Sequence, residues 1–128
     1  MSGAHVSWAA PLLILLPRAA RGPRRDGVFA LWLTVRVAQD LFADPAPPDR
    51  AHRRRVAALG HRVSSLTLPP PLKRALTAAL GELERGNQLA AAQALSQLVA
   101  PAREGAGPDA GDALAQAARA ARTALRHE

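Results

Sequence analysis

Cysteine does not occur in this chain, which excludes disulfides, thiolate metal sites, iron–sulfur ligation and thiol catalysis. Aromatics are nearly as scarce. There is no tyrosine, and the four aromatic residues, Trp8, Phe29, Trp32 and Phe42, all fall in the first third. β-Branched residues are thinly used as well, so β-strands, which draw on them and on aromatics, lack their raw material. No apolar run reaches the ~20 residues that a bilayer-spanning helix needs. The chain also has no P-loop, no GxGxxG, no GxSxG and no HExxH, so phosphate cradling, nucleophile-elbow hydrolysis and zinc-protease chemistry have no carrier.

What is present favours helix. Ala, Leu, Arg, Glu and Gln dominate, and these have the highest helix propensities. The 128 residues suffice for one modest core. Residues 67–128 read as Ala/Leu helices punctuated by Pro and Gly, so the core of that half must be leucine and alanine. Alanine buries little area, and such a core is thinly stabilised unless its helices approach closely or a partner covers them.

Charge is unevenly spread. The formal net charge is +7, yet residues 1–74 hold 12 Arg/Lys against 4 Asp/Glu, and residues 75–128 hold 5 against 6. The basic half points to nucleic acid, an acidic partner, a membrane surface or a targeting peptide. Lys73 is the single lysine among 17 basic residues, and Arg, Ala, Gly and Pro are abundant together. That is also the mark of a GC-rich coding sequence, a second source for the arginine excess.

Residues 6–16 (VSWAAPLLILL) are apolar, and Arg18, Arg21, Arg24 and Arg25 follow before the first acid, Asp26. Three readings stay open for residues 1–25: a cleaved targeting leader, an irregular segment packed on the domain or a partner, and a membrane-surface anchor. Cleavage would make the protein organellar or exported. Retention would leave it cytoplasmic or nuclear. Residues 26–128 are expected to form a single helical-bundle domain.

Asp26-Gly27 reads as a turn, and residues 28–42 as a helix. Val28, Leu31, Trp32, Val35 and Phe42 follow the 3.6-residue spacing, with Phe29, Leu33, Val37 and Leu41 as a second apolar stripe. A helix apolar over so much of its circumference belongs at the centre of a bundle or at an interface. After the stiff linker 43–48 (ADPAPP), Asp49 suits an N-cap, and Val56, Leu59, Val63 and Leu66 mark the next helix. LPPP (68–71) forces a turn into a helix with Leu72, Leu76, Leu80 and Leu83 on one face. Gly86 fits a helix C-terminus and Asn87 the next N-cap, a tight antiparallel hairpin. Ala92, Leu95, Leu98 and Val99 form the fourth buried stripe, and Pro101 ends or kinks it. EGAGP (104–108) reads as a flexible loop. A final helix buries Ala110, Leu114, Ala117, Ala121 and Leu125. The expectation is an all-α bundle of about five helices with short Pro/Gly-marked loops.

No residue set carries catalysis, a metal or a cofactor. His52 and His61 are nine residues apart and diverge on one helix, and the single carboxylate spaced three residues from a histidine, Asp49 before His52, has no second such pair to build a di-metal set with. Glu82 and Glu84 point to different sides. His61 is followed by Arg62, where a phosphorelay histidine carries an acid. The candidate partner-binding residues are therefore apolar: Trp32, Phe29 and Leu33. The candidate contacts for phosphate or an acidic partner are Arg50, Arg53, Arg54, Arg55 and Arg62. The expected partner is a protein, with nucleic acid, a membrane surface or a second copy of the chain as alternatives.

Residues 66–99 (LTLPPPLKRALTAALGELERGNQLAAAQALSQLV) carry a proline-bearing connection, the basic pair Lys73-Arg74, a leucine helix ending in Glu82-Leu83 and an alanine-rich helix. In that order they resemble the C-terminal helical domain shared by the steroid receptor RNA activator protein and the outer-coat protein of COPII vesicles. The family's last helix closes on an aromatic-containing signature, where this chain has ALAQAARAARTAL. The resemblance implies a five-helix bundle acting as a non-enzymatic scaffold in transcriptional co-regulation or coat assembly, with no catalytic residues. The alternatives are a basic accessory protein of a ribonucleoprotein or organellar complex, using Arg50, Arg53, Arg54 and Arg55 on RNA, and a membrane-surface protein using residues 6–25.

Overall fold

Helix follows helix along the chain in a computed structural model that describes residues 7–19, 21–43 and 49–126. Val6, most of the 43–48 linker, His5 and His127 lie outside these residues. Seven helices occur among the described residues, and no strand: α1 (Ala10–Ala19), α2 (Arg25–Ala43), α3 (Arg50–Ser64), α4 (Pro70–Arg85), α5 (Gln88–Gln97), α6 (Val99–Ala106) and α7 (Pro108–Arg126).

The two helices beyond the expected five are α1 and α6. In α1, Pro11 sits in the first turn, where a missing N–H costs nothing, and Pro17 lies in the last turn. Prolines thus bound this helix without preventing it. Leu12 is fully buried, and the Trp8 N–H donates to Gln39 Oε1 at 2.8 Å. In α6, Pro101 is the third residue, where its absent N–H would have had no intrahelical partner. It opens this helix where termination of the preceding one was expected. EGAGP is likewise no loop. Glu104, Gly105 and Ala106 are the last turn of α6, Gly107 takes φ 101°, and Pro108 begins α7. Asp26-Gly27 is the first turn of α2 and not a separate turn, with Gly27 buried.

The hairpin between α4 and α5 has the expected chemistry. Gly86 adopts the left-handed conformation (φ 77°), its N–H donating to the Glu82 and Leu83 carbonyls, and Asn87 caps α5 by accepting from the Ala90 N–H at 3.0 Å. Leu72, Leu76, Leu80 and Leu83 are all buried.

The central helix, α2, touches all six others. Its inward face is Val28, Leu31, Thr34, Val35, Ala38 and Leu41. Thr34 is buried without penalty because its hydroxyl donates to the Ala30 carbonyl at 2.8 Å. Trp32 and Phe42, expected in the core stripe, are only half-buried. No aromatic enters the buried core, which is leucine, valine and alanine, with alanine nearly half of its members. Helix α7 lies across α1, α2, α5 and α6 with Ala110, Ala113, Leu114, Ala117, Ala118 and Ala121 inward.

Helix α3 stands at the edge. Among the described residues it packs mainly on α4 and more lightly on α2. Buried His52 strengthens the first contact: its Nε2–H donates at 2.6 Å to the Leu83 carbonyl, which also accepts from the Gly86 N–H at the C-terminal end of α4. The Asp49 carboxylate caps α3, accepting from the His52 N–H at 2.8 Å. That bond holds the Asp49 pKa below its ordinary value, with the nearby charge of Arg55 acting in the same sense. A carboxyl whose pKa is lower folded than unfolded stabilises above the unfolded value and loses that contribution as pH falls through the folded one. Asp49→Ala is therefore expected to lower the melting temperature at neutral pH, and the gap from wild type to narrow in acid. Paired thermal melts across that range measure it.

Candidate functional site

The second apolar stripe of α2 turns toward α3, and because α3 lies closer to α4, a groove of about 410 Å³ is left between α2 and α3. Its floor is Leu33, Val37, Ala58 and Leu59. Arg36 and Asp40 border it from α2, and Arg55 and Arg62 from α3. Those α3 residues recur at three and four positions, one face of a helix.

Phe29 and Trp32 lie outside this lining and reach it through two of its arginines. Their ring centroids are 6.0 Å apart and the planes are inclined at 34°. The Arg36 guanidinium carbon lies 4.9 Å from the Trp32 ring centroid, and that of Arg62 lies 5.1 Å from the Phe29 centroid. Such cation–π contacts hold the guanidinium planes while leaving their edges free to meet carboxylates. The ion pairs among the described residues join Arg25 to Asp26, Arg85 to Glu82 and Arg103 to Asp112, so none consumes a groove arginine.

The structure thus brings together part of each set of sequence-predicted residues. Leu33, Arg55 and Arg62 line the groove, and half-buried Phe29 and Trp32 lie beside it, Phe29 under Arg62 and Trp32 under Arg36. Arg50, Arg53 and Arg54 are exposed on α3 but do not line the groove. Successive helical residues are ~100° apart, so Arg53 and Arg54 are carried away from Arg55. Arg36 is the groove residue that sequence reasoning misses. Its signal is present, four residues after Trp32 on the same helical face.

Chemically the groove offers apolar area, π faces and cationic donors. It has no nucleophile–base pair, and no cluster of three or more His, Cys, Asp or Glu side chains placed to hold a metal ion occurs among the described residues. No protein-family profile, curated protein or solved structure matches this chain.

Proposed function

We propose that this chain is a non-enzymatic helical interaction domain whose α2–α3 groove holds an acidic amphipathic helix of a partner protein. The observation that carries the reading is the composition of one concave surface. Half-buried Leu33 lies in the groove with Arg36, Arg55, Arg62 and the single acid Asp40, and the ring contacts of Arg36 and Arg62 join half-buried Trp32 and Phe29 to its edge. Trp and Arg dominate the energetically decisive positions of protein interfaces. A groove between two helices with an apolar floor accepts anchors at i, i+3, i+4 and i+7 of a docked helix, and the arginine rim selects acidic flanks. The resemblance of residues 66–99 to a scaffold domain of transcriptional co-regulation and coat assembly supports a role of the same kind.

The test places a photo-crosslinking phenylalanine analogue at position 32, and separately at exposed Gln116 on α7, in protein expressed in its native cells. A discrete adduct at position 32, not at 116, is expected. Arg36→Glu with Arg62→Glu should remove it with little change in melting temperature. Once the partner is in hand, Trp32→Ala is expected to weaken it by about 2 kcal/mol, near 30-fold. No adduct at position 32, or one indifferent to the arginine reversals, overturns the reading. An adduct to RNA, with affinity falling steeply with salt as counterion release demands, would replace it with the nucleic-acid alternative.

A further inference from the structure

We infer that the outer face of α1 docks on anionic lipid surfaces, a second contact independent of the α2–α3 groove. Leu13 and Ile14 are 50% and 64% exposed, and the only other large aliphatic so exposed among the described residues is Leu89, on α5. They are adjacent and exposed on a helix that is held to the bundle: Leu12 is fully buried, and Trp8, just before the helix, packs on Phe42 with ring centroids 5.4 Å apart. The pair therefore projects as a rigid tip. Exposed Arg18 follows Ile14 one turn later, and exposed Arg21, Arg24 and Arg25 continue past the helix end.

Acids near this tip are few. Asp26 is engaged with Arg25 at 3.5 Å and accepts from the Thr67 N–H at 2.8 Å. Asp109 lines a cleft of about 480 Å³ together with Leu15, Arg18 and Arg24. The surface is thus two aliphatics followed along the chain by four exposed arginines, of which Arg25 is paired with Asp26. Two exposed aliphatics on a helix surface can enter the boundary between headgroups and acyl chains while the basic residues that follow meet phosphates. Among the described residues no helix is long and apolar enough to cross a membrane, so the contact lies on the surface. Two aliphatics alone give marginal binding, and the arginines supply a second signal that only an anionic leaflet answers.

The test is co-sedimentation of the full chain with vesicles of mixed phosphatidylserine and phosphatidylcholine, against vesicles of phosphatidylcholine alone. Binding is expected to the mixed vesicles only, and to fall with added salt. Leu13→Asp with Ile14→Asp, and separately Arg18→Gln with Arg21→Gln, should each lower partitioning by about tenfold or more while helix content and melting temperature stay close to wild type. Arg53→Gln with Arg54→Gln on α3 should leave it unchanged. Equal binding to both vesicles, wild-type partitioning by both α1 variants, or loss only with the α3 pair would overturn the inference. If the α1 variants lose structure, Ile14→Ser alone replaces them, and it must still weaken partitioning.

Discussion

Replacing Leu114 with alanine is expected to remove about 2–5 kcal/mol of stability, toward the upper end of that range. Leu114 is fully buried, and apart from half-buried Leu125 the inward face of α7 is otherwise alanine. That face meets α1, α2, α5 and α6, and Leu114 is the one large side chain on it that is fully buried. The cost of a large-to-small change depends on how far neighbours collapse into the gap. Here nearly half of the buried core is alanine, with no rotamers to swing inward. The cavity should therefore persist and its lining lose contacts outright. Against a total stability of about 5–15 kcal/mol for an ordinary domain, the loss is a large fraction. A melting temperature lower by roughly 10–20 °C should accompany it. Leu125→Ala, at the half-buried end of the same helix, is the comparison and should cost clearly less. Thermal melts followed by far-ultraviolet circular dichroism decide. A Leu114→Ala shift as small as that of Leu125→Ala would mean that α7 does not hold the bundle together.

The same alanine-rich packing explains which features are legible in the sequence. Stripes of leucine announce themselves: Leu72, Leu76, Leu80 and Leu83 are readable as the buried face of α4, and Gly86-Asn87 as its junction with α5, because cap chemistry is local. The interior position of α2 is readable from its nearly continuous apolar circumference. Small residues are silent by comparison. Gly105 and Ala106 are buried among α2 and α4, yet Glu-Gly-Ala-Gly-Pro has the composition of a loop, and only the tertiary contact reveals it as a helix end. Helix α1 is obscured differently. Its prolines argue against helix, while Leu12, Trp8 and Gln39 supply long-range contacts that local propensity cannot include. The aromatics mislead in the opposite sense, since size suggests core and the packing places Trp32 and Phe42 at the rim. For the candidate groove, the residue types are legible and their meeting is not. That Arg62 reaches Phe29 depends on α3 lying beside α2, and consecutive Arg53, Arg54 and Arg55 look like one cluster until a helix fans them apart.

Glycine substitutions should separate the close contact from an open face by the sign of their effect. A Cβ added at Gly105 would stand 2.9 Å from Leu72 Cδ2, 3.3 Å from Leu72 Cβ and 3.2 Å from Pro69 Cγ. Leu72 is fully buried and cannot retreat without displacing the core behind it. Across the same contact, a Cβ at Gly27 would meet Ala106 Cβ at 3.0 Å and the Gly105 carbonyl oxygen at 3.2 Å, so α2 and α6 approach almost backbone to backbone. Removing a helical glycine ordinarily gains about 0.5–1 kcal/mol of backbone entropy. Overpacking a filled core costs about 1–3 kcal/mol, and at Gly105 overpacking outweighs the entropy gain. Gly105→Val, which adds branched bulk as well as a Cβ, should destabilise near or above the top of that range. At Gly81, on α4, an added Cβ meets nothing within 4 Å. Gly81→Ala should accordingly stabilise by about 0.5–1 kcal/mol. Denaturant melts of the two variants beside wild type measure both, and midpoints moving in opposite directions are the expected result. If Gly105→Val left the midpoint unchanged, the approach of α6 to α2 and Leu72 would be looser than this packing requires, and residues 104–108 would be closer to the loop that their composition suggests.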